Sequence, residues 1–153
     1  MNKDQWYFAY GSNLSVGQKE LRTGRIRRAI RCRLPGYAFA FNKRGRNGQV
    51  YANIVANSKS EVWGVVYLCN PEAMRAMDQY EGVASGHYKR IPVRVVQDTG
   101  EETDAITYIA GADYVCEPGK PSREYLERIV SGAKHHGLPD EYVERIKELA
   151  EGG

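Results

Sequence analysis

Glu61-Val62-Trp63-Gly64-Val65-Val66-Tyr67-Leu68 is an unbroken run rich in β-branched and aromatic residues. Such a run fits a pleated, buried surface and reads as a strand. It constrains the fold because it has company. Trp6-Tyr7-Phe8-Ala9, Ala29 to Leu34, Tyr37 to Phe41, Tyr51 to Ala56, Tyr88 to Val96 and Thr103 to Ala110 all read the same way. In Tyr88 to Val96 the alternation is regular, with Ile91, Val93 and Val95 on one face and Arg90, Pro92 and Arg94 on the other. Pro35-Gly36 reads as a turn, and Asp98-Thr99-Gly100 as a hairpin turn. Asn42 to Gln49 is polar, bears glycine and is expected to be a mobile loop.

Helical spacing appears in three places. Asn70-Pro71-Glu72 starts one helix, with Asn as the cap, Pro at the first helical position and Glu at the positive end of the dipole. Met74, Met77 and Asp78 follow on a helical period, and Gly82 ends it. Ser122, after Pro121, caps a second helix carrying Tyr125, Leu126, Ile129, Val130 and Ala133, which stops at Gly137. Pro139-Asp140 opens a third, with Tyr142, Val143, Ile146 and Leu149 as its apolar face. Leu14 to Leu21 reads as one short helical turn.

Six or seven strands and two to four helices in 153 residues, without a repeat or linker, predict one α+β domain over residues 1–153. A mainly antiparallel sheet, closed or nearly closed, protects its edges and gathers loops at one mouth. The composition, 42% hydrophobic and 27% charged, is ordinary for a globular protein. No stretch has the length to span a bilayer, and Met1-Asn2-Lys3-Asp4-Gln5 lacks a signal-peptide pattern, so a cytoplasmic protein with no membrane partner is expected. Cys32, Cys69 and Cys116 are scattered and suggest neither a disulfide framework nor a zinc site.

Net charge is +3, and much of the basic excess lies in Lys19, Arg22, Arg25, Arg27, Arg28, Arg31 and Arg33, with Arg44 and Arg46 beyond. A solvated basic face, a site for an anionic ligand and a nucleic-acid footprint are the three readings. The last lacks a recognition-helix pattern, and no nucleic-acid partner is expected.

Two segments carry candidate chemistry. Tyr10-Gly11-Ser12-Asn13 breaks the first strand with a tight polar turn. Exposed backbone N–H groups there can cradle a carboxylate or an oxyanion; the plain alternative is an ordinary turn. Glu81 ends a helix beside Tyr80, Gly82 and Val83. The negative dipole end and apolar neighbours both raise a carboxyl pKa, if the side chain points inward rather than to solvent. A carboxyl group near neutrality suits general acid–base work. Tyr88 and Tyr125 either pack a core or line a substrate site. Ser12 is in no G-x-S-x-G elbow, His135-His136 read as exposed caps, His87 has no visible partner, and no Walker or Rossmann phosphate loop is present.

Tyr7-Phe8-Ala9-Tyr10-Gly11-Ser12-Asn13-Leu14, then Asp78 to Gly82, Ser85-Gly86-His87-Tyr88, Pro121-Ser122 with Tyr125, Gly132-Ala133-Lys134, and Gly137-Leu138-Pro139 with Tyr142 occur in this order. Together they resemble γ-glutamylcyclotransferases over nearly the whole chain. The resemblance implies a small mixed β-barrel, mainly antiparallel, with flanking α-helices. It implies an enzyme that cyclises a γ-glutamyl amino acid, or a γ-glutamyl amine, to 5-oxoproline and frees the amine. It implies no metal and no cofactor, and it allows a homodimer. Glu81 matches the acid–base catalyst; Tyr10, Gly11, Ser12, Asn13 and Leu14 match the loop that holds the glutamyl group; Tyr88 and Tyr125 match pocket positions. A non-catalytic small-molecule binding module on the same fold is the alternative. The chemistry fits the residues: the substrate's own α-amine attacks its γ-carbonyl, so no protein nucleophile is required.

Overall fold

The computed structural model describes residues 3–152; Met1, Asn2 and Gly153, which the N-terminal and single-domain readings include, lie outside the described residues. Five strands form a closed barrel: β1 (Gln5–Ala9), β2 (Ala29–Arg44), β3 (Val50–Cys69), β4 (Tyr88–Gln97) and β5 (Glu102–Ala110). Around the barrel the order is β1-β3-β2-β4-β5. Every pairing is antiparallel except the one that closes the ring, where β1 meets β5 in parallel at Tyr7 and Ile106. Four α-helices flank it: α1 (Val16–Thr23), α2 (Pro71–Tyr80), α3 (Arg123–His135) and α4 (Asp140–Leu149). The architecture is the expected α+β mixed barrel.

The strand count differs from the expectation, and the reason is local. Pro35-Gly36 is not a turn. β2 runs through it, Gly36 taking φ +87° where the register with β3 shifts. Pro35 faces Glu61 and Tyr37 faces Ala56, so β2 spends only Gly36 while β3 spends Asn57 to Ser60. The polar interruption that separates Tyr51–Ala56 from Glu61–Leu68 is therefore an excursion within one long strand. A bulge of this kind bends and twists a strand, as a narrow closed barrel demands.

The chain is buried on both sides from Tyr7 of β1 to Tyr10 just beyond it. Tyr7, Phe8, Ala9 and Tyr10 are all buried, because alternate side chains enter the barrel while the rest meet the surrounding elements. Tyr10 packs edge-on against Phe39, and Tyr7 edge-on against Tyr108. α1 starts at Val16, later than expected, because Ser15 caps it by accepting from Gln18 N at 3.3 Å. The residues before it, Ser12–Leu14, form a separate turn of 3-10 helix. α2 begins as the Asn-Pro-Glu signal predicts, with Asn70 Oδ1 accepting from Ala73 N at 2.8 Å. Such a cap is worth about 1 kcal/mol. Among the described residues no helix is long and apolar enough to cross a membrane.

The basic cluster is dispersed. Arg27, Arg31 and Arg33 pair with Asp4, Asp98 and Glu61. Arg28 lies over the Trp6 ring and buried Lys19 over the Tyr67 ring. Arg22 alone of the group from Lys19 to Arg33 reaches the cavity described next.

Candidate active site

The first strand and the helix that ends at residue 80 deliver their C-terminal residues to one cavity at the barrel mouth. Its volume is about 520 Å³, and Tyr10, Gly11, Ser12, Asn13, Glu81, Tyr88 and Tyr125 all line it. Leu14 does not. It is fully buried, and its N–H is consumed by Gly11 O at 3.0 Å. The expected role of Leu14 as a direct contact is corrected: it anchors the turn from behind.

That anchoring is dense. Tyr67 Oη donates to Asn13 O at 2.7 Å, and His136 Nε2 lies 3.0 Å from Leu14 O and 3.3 Å from Tyr67 Oη. His136 is thus half-buried behind the turn, whereas the sequence reading placed it as an exposed cap; the turn packs against α3 and takes its C-cap histidine inward. Gly132 permits this approach, since a β-carbon there would overlap the Leu14 carbonyl. Gly11 has φ −110°, so it is not required for positive φ. Space there is tight instead: a β-carbon would come within 3.3 Å of Ala52 Cβ, which would have to give by a few tenths of an ångström, and 3.5 Å from Tyr125 Oη, an ordinary contact. Among the described residues, the N–H groups of Gly11, Ser12 and Asn13 carry no backbone acceptor, in contrast to those of Leu14 and Ser15.

Glu81 is the C-cap of α2, and Gly82 follows at φ +66° to turn the chain away. The helix end is tied down by Asp78. Arg90 donates to both of its carboxylate oxygens at 2.7 Å, and Tyr108 Oη donates to Oδ1 at 2.6 Å. Burial is the largest influence on Glu81 and raises its pKa to about 7. The positive charges of Arg22 and Lys43 pull against this, and the Asp78 charge adds to it. The Glu81 carboxylate meets the turn directly, since Asn13 Nδ2 donates to Glu81 Oε1 at 3.3 Å. The same amide donates to Tyr7 Oη at 2.8 Å.

Tyr88 and Tyr125 converge on one residue of β3. Tyr88 Oη donates to Ala52 O at 2.8 Å, and Ala52 N donates to Tyr125 Oη at 3.0 Å. Both side chains are half-buried, and desolvation is the main cause that holds both phenols protonated well above the ordinary tyrosine range.

Sequence reasoning missed a basic and aromatic wall. Lys43 Nζ lies 2.7 Å from His87 Nδ1, and Arg46 Nε donates to His87 Nε2 at 3.1 Å. His87 stacks on Tyr114 at 3.9 Å between ring centroids. Burial, then Lys43 and Arg46, push the His87 pKa down. Asn42 and Lys43 are buried residues of β2, so the connection to β3 begins only at Gly45 rather than at Asn42 as expected. No local signal marks Lys43 and His87 as neighbours; the hairpin's long reach brings residues 44 positions apart together.

Residues 61–146 match the AIG2-like family. The chain is 36% identical over 148 residues to the γ-glutamylcyclotransferase of Homo sapiens, covering 94% of this chain and 77% of that protein. A solved structure of a γ-glutamyl cyclotransferase superposes with TM-score 0.83 at 33% identity, covering 95% of this chain and 87% of that one. YkqA from Bacillus subtilis shares the fold, with TM-score 0.84 at 24% identity over 97% of this chain and 54% of that one.

Proposed function

The chain is an enzyme that belongs to the γ-glutamylcyclotransferase family, and we propose that Glu81 moves the protons of its reaction on free γ-glutamyl amino acids. γ-Glutamyl amines are the second substrate class. The observation that carries this reading is the Asn13 to Glu81 contact. It sets a carboxyl group with a pKa of about 7 beside a turn built to hold anionic oxygen, inside one cavity.

The mechanism follows from these parts. The free N–H groups of Gly11, Ser12 and Asn13 take the oxygens of the glutamyl group that carry or develop negative charge. Tyr88 and Tyr125, clipped to Ala52, bound the cavity beside Gly11. The cavity folds the substrate so that its α-amine approaches its γ-carbonyl, an intramolecular attack in which positioning does most of the catalytic work. The α-ammonium must first lose a proton, and ionised Glu81 accepts it. Nitrogen then bonds the γ-carbon, protonated Glu81 returns its proton to the leaving amine, and the bond from the γ-carbon to that amine breaks. The second proton of the attacking nitrogen passes to the departing amine, which leaves as an ammonium while the lactam nitrogen keeps one hydrogen. The products are 5-oxoproline and the free amino acid. One carboxyl group serving as base and then acid works best with its pKa near the operating pH.

Incubation with a panel of γ-glutamyl amino acids and γ-glutamyl amines, with 5-oxoproline measured, tests the reading. Glu81→Gln should fold and lose turnover by about 10²-fold or more. Near wild-type turnover of that variant would sink the assignment of Glu81. Binding of 5-oxoproline without turnover of any panel member by the wild type would instead favour a binding module.

A further inference from the structure

A chain of side chains with fixed donor and acceptor roles connects α3 to Glu81. It begins at the exposed residue Arg128, whose Nη1 donates to Gln18 Oε1 at 2.9 Å. A guanidinium has donors only. The Gln18 oxygen therefore faces Arg128, and its NH₂ faces the turn. That NH₂ donates to Ser12 Oγ at 2.6 Å and to Asn13 Oδ1 at 3.0 Å. Arg22 Nη1 reaches the same Asn13 oxygen at 3.3 Å. With its oxygen claimed by two donors, Asn13 turns its own NH₂ the other way, toward Tyr7 Oη, Met77 Sδ and Glu81 Oε1. Reversing the Asn13 amide would set its oxygen against the carboxylate and its NH₂ against two donors.

We propose that Gln18 and Arg128 are positioning residues of the site, which lock the Asn13 amide so that it keeps a donor on the Glu81 carboxylate. This inference rests on the reading of Glu81 as the proton-transfer group. It gives a role to a helix residue with no reactive group and to a surface arginine on a different helix. It also assigns the Ser12 hydroxyl. Its oxygen accepts from Gln18, so its proton is free for an acceptor on the ligand.

A hydrogen bond to the charged form of a carboxyl group favours that form. Loss of the lock should therefore raise the Glu81 pKa further. The test is the pH profile of kcat/KM for 5-oxoproline release from pH 5.5 to 9.5, in wild type, Gln18→Leu, Gln18→Glu, Arg128→Met, Arg128→Lys and Glu81→Gln. In Gln18→Leu the ascending limb should move up by about half to one pH unit, lowering kcat/KM about 3- to 10-fold at pH 6.5 and converging with wild type near pH 9. Gln18→Glu keeps the Arg128 bond but offers the turn only acceptors and a negative charge, so its shift should be larger. Arg128→Met should shift the limb in the same direction by less, and Arg128→Lys should restore it. A structural role alone would lower the rate at every pH and leave the limb in place, which would overturn the lock. Carboxyl ¹³C titration of Glu81 gives the same answer without turnover: an unmoved midpoint in Gln18→Leu overturns the proposal. If Glu81→Gln still turns over, the reading of Glu81 fails, and the titration still judges the lock.

Discussion

Asn13 and Glu81 stand 68 residues apart in the chain and 3.3 Å apart in space, from Nδ2 to Oε1. The contact joins the end of the first strand to the end of α2. It lets one side chain of the turn bear on the ionisation of the Glu81 carboxyl group.

Turnover should follow the ionisation of Glu81. The base form is the carboxylate, so kcat/KM should rise with pH through an apparent value of about 7, where burial places this group. Arg22 is the strongest of the charges that lower it. Arg22→Met should therefore move the ascending limb upward. A rate profile recorded over pH 5 to 9 with saturating and limiting substrate checks both.

Stability should carry the opposite sign. The folded pKa of about 7 lies above the reference value of 4.5, so the ionised form is penalised in the native state. The contribution of Glu81 is fully present below pH 4.5 and is lost as pH rises toward 7. Glu81→Gln escapes that loss. Denaturant unfolding should show the variant gaining on wild type between pH 5 and 8, by about 2–3 kcal/mol at the upper end. Parallel pH curves for the two proteins would contradict this.

The two tyrosines on Ala52 should not be equivalent. Tyr125→Phe strips the acceptor from a backbone N–H, and Tyr88→Phe strips one donor from a carbonyl. A buried N–H tolerates orphaning less well than a C=O. Tyr125→Phe should cost about 1–2 kcal/mol of stability and Tyr88→Phe less. Both should raise KM, by disturbing the cavity wall beside the turn. Thermal melts and steady-state kinetics on the single variants read both effects.

Gly132→Ala probes the turn from behind. The added carbon overlaps the Leu14 carbonyl, backbone that cannot swing aside. Overpacking of this kind costs about 1–3 kcal/mol. Because Leu14 anchors the turn, kcat/KM should fall as well, although residue 132 lies outside the cavity lining. Unfolding curves together with kcat/KM test the coupling.

Much of this was legible in the residues, for reasons that differ from place to place. The turn at Tyr10–Asn13 and the end of α2 at Glu81 are local events, written in Gly-Ser-Asn and in Glu-Gly, and they stand where expected. The close approach of Ala52 and Tyr125 to Gly11 was not legible, because it is a tertiary fact that no neighbouring residue announces. Pro35-Gly36 carried a true local signal for a bend, but pairing with β3 absorbed the bend as a bulge. Lys43, Arg46 and His87 stayed invisible for the same reason as Gln18 and Arg128: each acquires its role only from a partner brought in by the barrel.

The excursion at Asn57–Ser60 has a consequence for how chains of this kind change in length. β3 carries Ala52, which holds the two tyrosines, and Tyr67, which holds the carbonyl of Asn13. Two supports of the pocket are thus mounted on one strand, and a register slip of one residue between them would exchange inward and outward side chains. Asn57–Ser60 is largely exposed and faces only Gly36, so it is the one stretch between the two mounts where the described pairing leaves slack. Insertions and deletions have a place there to accumulate without altering the width of the pocket.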